Sequence, residues 1–161
     1  MAYSAYLTVK GQKQGAFNGP VTQVGRAGTI LVHSFDNEIV SPRDPATGQP
    51  TGKRQHSPIV ILKEIDKTSP LFLAALVTNE TLTTWELDIF GPNVAGGETK
   101  IYTIALTNAS IASVDQSMLD NETAANAGLP LQEEISFSYQ KITWTWTSGG
   151  ITASDDWTVT T

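Results

Sequence analysis

Alternation of apolar and polar positions runs through most of this chain. Tyr6 to Val9 reads as an opening strand, with a turn later at Asn18-Gly19-Pro20. Thr29 to Phe35 is a second strand, placing Ile30 and Val32 on one face and Leu31, His33 and Phe35 on the other. Ile59 to Leu62 is a short apolar run. Thr81 to Phe90 alternates again, with Trp85, Leu87 and Ile89 together before a stop at Gly91-Pro92. Past Gly96-Gly97, Lys100 to Asn108 sets Tyr102, Ile104 and Leu106 on a shared face, and Ser110 to Leu119 forms a weaker strand. Asp120 to Pro130, polar and rich in small residues, predicts a loop. Gln132 to Thr147 carries the clearest period of two, but its phase changes: Ile135, Phe137 and Tyr139 lie in one phase, Ile142, Trp144 and Trp146 in the other. Such a slip predicts a bulge near Gln140, or two faces buried in turn. Gly149-Gly150 then turns the chain into a last strand, Ile151 to Val159.

One helix interrupts the strands, at about residues 70–78. Ser69 reads as its N-cap and Pro70 as its first helical position, and Leu71, Phe72, Ala74 and Ala75 supply an apolar side. A helix of about two turns is marginal alone in water, so it must dock on the sheet. About eight antiparallel strands with one short flanking helix predict a mainly β fold, a closed barrel or a sandwich. The expectation is a single domain over residues 1–161.

The stretch from Ser41 to Pro58 breaks the pattern. It holds Pro42, Pro45, Pro50 and Pro58, half of the eight prolines, beside Gly48 and Gly52. Proline removes backbone donors and glycine adds backbone entropy, so an extended loop over about 41–58 is expected rather than a packed strand or helix. Long loops in compact chains are usually functional. This one is also basic. Residues 41–63 carry Arg43, Lys53, Arg54 and Lys63 against Asp44 alone, although the whole chain has a net charge of −6. A basic loop on an acidic body predicts complementarity between copies of the molecule. A pI near 4.7 with no basic stripe argues against a nucleic-acid partner.

With 161 residues and 40% hydrophobic content the chain is long enough to bury a core. It has no cysteine, which removes disulfides, thiol nucleophiles and thiolate metal sites. The first ten residues lack the apolar core of a signal peptide, and no run reaches the length of a membrane span. Cytoplasmic synthesis without membrane insertion is therefore expected. No catalytic pattern stands out. Gly48 to Lys53 is too short for a phosphate loop, and Arg54 stands where a magnesium-holding hydroxyl would be needed. His33 and His56, the only histidines, lie in different elements with no second ligand at a telling spacing. Asp36 with Glu38, and Glu133 with Glu134, offer carboxylates that nothing selects as an acid–base pair; Glu64, Asp66 and Lys67 ring the helix start, where acids favour the dipole. No serine sits in a nucleophile elbow. The reading is a protein that is not an enzyme and uses no cofactor or metal. Tyr139, Trp144, Trp146 and Trp157 read as core or subunit contact ahead of a sugar-binding platform.

Thr51-Gly-Lys-Arg-Gln-His56, followed by Ile61-x-Lys63-Glu-Ile-Asp66-Lys67-x-Ser69-Pro70-Leu-x-x-Ala74, closely resembles the haemolysin-coregulated protein family, the tube proteins of bacterial type VI secretion. Val9-x-Gly11 with Leu31-x-x-Ser34-Phe35, and Glu134-x-Ser-Phe137-x-Tyr139-x-Lys141-Ile142-x-Trp144-Thr-Trp146, are similar to that family's first hairpin and last long strand. The resemblance implies a closed β-barrel with one flanking helix, assembled as a homo-hexameric ring whose rings stack into a tube. A contractile sheath, a spike protein and small effectors carried in the lumen are the implied partners, with secretion through the apparatus and no signal peptide. It also implies that the loop reaches the adjacent ring; from the basic charge of that loop, Arg43, Asp44, Lys53, Arg54 and His56 are the expected stacking residues. Ser34 falls at a position on the inner wall and becomes a cargo contact, although His33 and Phe35 stand where the family often has Trp. With the chain ending at Thr161, the expectation is a tube subunit rather than a member carrying a fused toxic domain. A phage-like tail-tube subunit, and more remotely a monomeric carbohydrate-binding β-sandwich, are the alternatives.

Overall fold

In the computed structural model, which describes residues 3–159, the chain is mainly β with one α-helix. The strands are β1 (Ser4–Gly11), β2 (Gly15–Ala16), β3 (Ile30–Val32), β4 (Ser34–Asp36), β5 (Ile39–Val40), β6 (Gln55–His56) and β7 (Ile59–Glu64). After helix α1 (Ser69–Val77) come β8 (Leu82–Pro92), β9 (Glu98–Thr107), β10 (Ser110–Ser117), β11 (Gln132–Ser138), β12 (Lys141–Trp146) and β13 (Ile151–Asp156).

All strand pairs are antiparallel, and they build two main sheets. The larger runs β13-β12-β9-β8-β1-β2, with β3 also on β1; the smaller runs β10-β11-β7-β4. The chain crosses between them where β3 gives way to β4 at His33, where β9 gives way to β10 at Asn108-Ala109, and where β11 gives way to β12 at Tyr139-Gln140. The phase change expected near Gln140 is the last of these corners. Ile135 and Phe137 are buried from the smaller sheet, and Ile142 from the larger. Strands that switch sheets at a bend are how two layers share one core. The expected count of about eight strands meets thirteen extended segments, several only two or three residues long.

Register explains where the core lies. Val9, Trp85, Leu106 and Ile142 are successive cross-strand partners in the larger sheet, and all are buried. The next row, Leu7, Leu87, Ile104 and Trp144, is sealed except at Trp144. One row further, Ala5, Ile89, Tyr102 and Trp146 fade from 8% exposed at Ala5 to 46% at Trp146. The larger sheet thus overhangs its partner. Ile142, Trp144 and Trp146 do share a face, as their spacing predicts, but only its first residue is fully in the core.

Helix α1 begins one residue earlier than its sequence indicates. Thr68 takes the N-cap position and Pro70 the second turn-forming place, while Ser69 is already helical. The Ser69 hydroxyl serves the preceding turn, accepting from the Asp66 amide at 2.9 Å. The helix ends as expected, with Asn79 in left-handed backbone at φ 53°. Phe72 is its anchor. Its ring meets Phe17 edge-on at 5.1 Å and Phe137 at 6.1 Å, and burying such a side chain contributes about 1.5–3 kcal/mol. Behind it, buried Glu80 accepts from the amides of Lys13 and Gln14, both at 3.0 Å, and so ties the β1–β2 turn to the residues after the helix. Gly11 makes room for that carboxylate: a Cβ there would lie 2.0 Å from Glu80 Oε2.

Candidate functional site

The stretch expected as an irregular loop is a two-stranded arm. β5 pairs with β6, Ile39 opposite His56 and Val40 opposite Gln55, and Arg43 bridges to Pro50 further out. Backbone bonds from Thr51 to Pro42 (3.0 Å) and from Asp44 to Gln49 (2.8 Å) continue the ribbon. The prolines are tolerated because an isolated ribbon uses only one edge of each strand, so missing donors can face outward. The tip is closed by Asp44. Its carboxylate accepts from the Ala46 amide at 3.0 Å and the Thr47 hydroxyl at 2.9 Å, and Gly48 follows with φ 74°. The Ala46 amide, then Thr47, hold the Asp44 carboxyl below its usual range.

The five arm residues singled out from the sequence divide sharply. Arg43 and Lys53 stand on the surface, Arg43 reaching only the Gly48 carbonyl at 3.5 Å. Arg54 and His56 instead turn back onto the body. Arg54 makes a two-pronged contact with Asp155 on β13, Nε to Oδ2 at 2.5 Å and Nη2 to Oδ1 at 2.8 Å, and Nη2 also donates to the Asp156 carbonyl at 3.1 Å. His56 Nε2 lies 2.7 Å from the same Asp155 Oδ2, and its Nδ1 lies 2.9 Å from the Tyr139 hydroxyl. The His56 side chain is 1% exposed, packed edge-on to Tyr139 at 5.5 Å and beside Trp157 at 5.8 Å. Trp157 donates from its indole to the Tyr139 carbonyl. The Arg54 contact, aided by His56, pulls the Asp155 carboxyl below its usual range, while burial pushes the Tyr139 hydroxyl up to about 12. Arg54 and His56 thus make intrachain contacts with Asp155 and Tyr139, through Nε and Nη2 of the guanidinium and both nitrogens of the imidazole, while the Arg54 side chain remains 22% exposed.

Lys63, counted with the basic stretch, is also withdrawn from the surface. It is fully buried, with Nζ 2.7 Å from Glu133 Oε1, 3.2 Å from Asp66 Oδ1 and 2.8 Å from the Glu64 carbonyl. The second Glu133 oxygen accepts from Gln116 at 2.8 Å, and the Ser69 hydroxyl donates to the first at 2.8 Å. Asp66 accepts from the Thr68 amide at 2.8 Å just before α1, so its part is to shape the helix start rather than to sit within the first turn.

Ser34 lies exposed on β4, opposite Leu62 of β7, on the outer face of the smaller sheet with Val60 and Glu134. His33, at the corner, has Glu64 Oε1 at 3.4 Å. Trp146 and Trp157 are both partly exposed, but they stand at opposite ends of β13, about 17–20 Å apart along a strand of this length. They make no common platform for a sugar ring. Among the described residues no helix is long and apolar enough to cross a membrane.

Similarity to known proteins agrees with this architecture. The family described as "Type VI secretion system effector, Hcp" matches residues 6–146. The chain is 40% identical over 166 residues to the major exported protein of Pseudomonas aeruginosa, covering 98% of this chain and 96% of that protein. Among solved structures, an Hcp protein superimposes with a TM-score of 0.89 at 27% identity, covering 97% and 98% of the two chains. The secreted protein Hcp3 from Pseudomonas aeruginosa does so with a TM-score of 0.78 at 32% identity, covering 97% and 99%. With a family match that runs from β1 to the end of β12, the chain belongs to the Hcp family of type VI secretion.

Proposed function

We propose that this chain is the structural subunit of the type VI secretion inner tube, acting as one domain over its whole length. Six copies form a ring, rings stack head to tail, and small effectors travel in the lumen. The family match across residues 6–146 carries this reading. In the ring the two sheets and their shared corners work as a flattened closed barrel. A spike protein caps the tube, a contractile sheath drives it, and the subunit leaves the cell through that apparatus.

The arm carries the contact between rings. A two-stranded ribbon that projects from the body and presents Arg43 and Lys53 to an otherwise acidic molecule suits a head-to-tail interface, which extends into a filament when its operation does not close. Asp44 contributes by fixing the tip, and Ser34 faces the lumen as a cargo contact. Reversing both free cations, Arg43→Glu with Lys53→Glu, leaves rings of six intact but shortens stacks several-fold when viewed side-on by electron microscopy. Stacks of unchanged length would refute the role given to the arm.

A further inference from the structure

Arg54, His56 and Asp155 deepen the stacking proposal. The inference rests on the tube-subunit reading above. A projecting ribbon of two short strands has almost no core of its own, because a two-stranded hairpin is marginal in water. Its direction must be set where it joins the body. At that junction one carboxylate, Asp155, gathers both arm side chains that point inward: the Arg54 guanidinium in two-pronged geometry and the His56 ring at 2.7 Å. The other side of the ring is held by the Tyr139 hydroxyl at 2.9 Å, and Trp157 closes the site. Asp155 lies on β13 and Tyr139 at the β11–β12 corner, so the arm is fastened to the larger sheet and to the corner where the chain passes between the sheets.

We propose that Asp155 is the positioning residue of the arm: by clasping Arg54 and His56 it fixes how the ribbon leaves the body, and so where Arg43 and Lys53 meet the next ring. The clasp acts by preorganisation. An arm already held in its bound direction does not pay ordering entropy when rings meet, whereas a loose arm does. Charge-assisted, two-pronged contacts suit this task because they fix angle as well as distance. Lys in place of Arg54 would keep the charge and lose the angle.

The test separates arm order from stacking. Hydrogen–deuterium exchange of residues 39–57 is measured in the full-length protein and in Asp155→Asn, with residues 69–77 as an internal reference, and stacking is followed against concentration. The expected result is arm exchange about ten-fold faster, an unchanged helix, retained rings of six, and stacks that need about ten-fold more protein. Arm exchange that stays the same overturns the clasp. Faster arm exchange with unchanged stacking overturns its positioning role. Should Asp155→Asn fail to fold, Arg54→Gln removes the same contact from the arm side and is read by the same outcomes. If the unaltered protein forms no rings of six, the tube reading fails, while the exchange comparison still decides whether Asp155 holds the arm.

Discussion

At the start of α1, Glu133 and Lys63 are sealed from water, both with side chains 0% exposed, whereas at the base of the arm Asp155 and Arg54 remain 25% and 22% exposed. Each cluster centres on one carboxylate that gathers several donors. The first joins β7, β11, β10 and α1 inside the body; the second joins β6 to β13 at its rim. Burial decides what each can do. A sealed pair that loses one member strands an uncompensated charge in low dielectric, so it enforces the fold. A rim pair can loosen without unfolding the body, so it governs only the element that it holds.

The largest expected effect follows from the sealed cluster. Lys63→Met strands Glu133 and Asp66 and costs about 3–5 kcal/mol, which lowers Tm by on the order of 10 °C in thermal unfolding. The double variant Lys63→Met with Glu133→Leu recovers part of that loss, because it removes the stranded Glu133 charge but leaves Asp66, Ser69 and Gln116 without their partner. A single variant within about 1 kcal/mol of the unaltered protein would erase the distinction between the two clusters.

Acid sharpens the comparison next. The amides of Gln14 and Lys13 hold the Glu80 carboxyl below its ordinary 4.5, with the Gln14 bond the largest cause. A depressed folded value means stability that is full above the ordinary value and lost as pH falls through the folded one. Glu80→Gln is therefore less stable than the unaltered protein at neutral pH, and the gap closes as pH drops below that range in urea titrations. Asp155, lowered from 3.8 mainly by Arg54, has the same sign, but its loss frees the arm alone. After correction for the intrinsic exchange rate, which itself falls with pH, the protection of residues 39–57 should decrease on acidification in the unaltered protein and change less in Asp155→Asn.

The smallest change tests geometry at the rim. Arg54→Lys keeps a cation near Asp155 but gives up the two-pronged contact, so arm exchange rises only a few-fold and Tm hardly moves. An Arg54→Lys arm as loose as that of Asp155→Asn would mean that angle matters more than charge.

Local pattern carried much of the fold. The opposed phases of Phe137 and Trp144 marked an irregularity near Gln140, which is a corner between two strands of different sheets rather than a bulge within one, and Ser69-Pro70 located the helix to within one residue. What local pattern could not show was pairing over distance. Lys63 reads as a surface cation because its partner Glu133 is 70 residues away, and Arg54 reads as free because Asp155 is 101 residues away. Strands of two residues, such as β5 and β6, fall below any detectable period, so the ribbon looked like a loop. The positions of Arg43, Lys53 and Asp44 on that arm were legible; which of its cations point outward was not.

Native mass spectrometry of the purified protein at low and high salt tests the central claim most directly. The account predicts six copies of the 17.3 kDa chain at both, with stacks of rings present at low salt and dispersed at high salt as the arm's charges are screened. A monomer at every concentration and salt would contradict it.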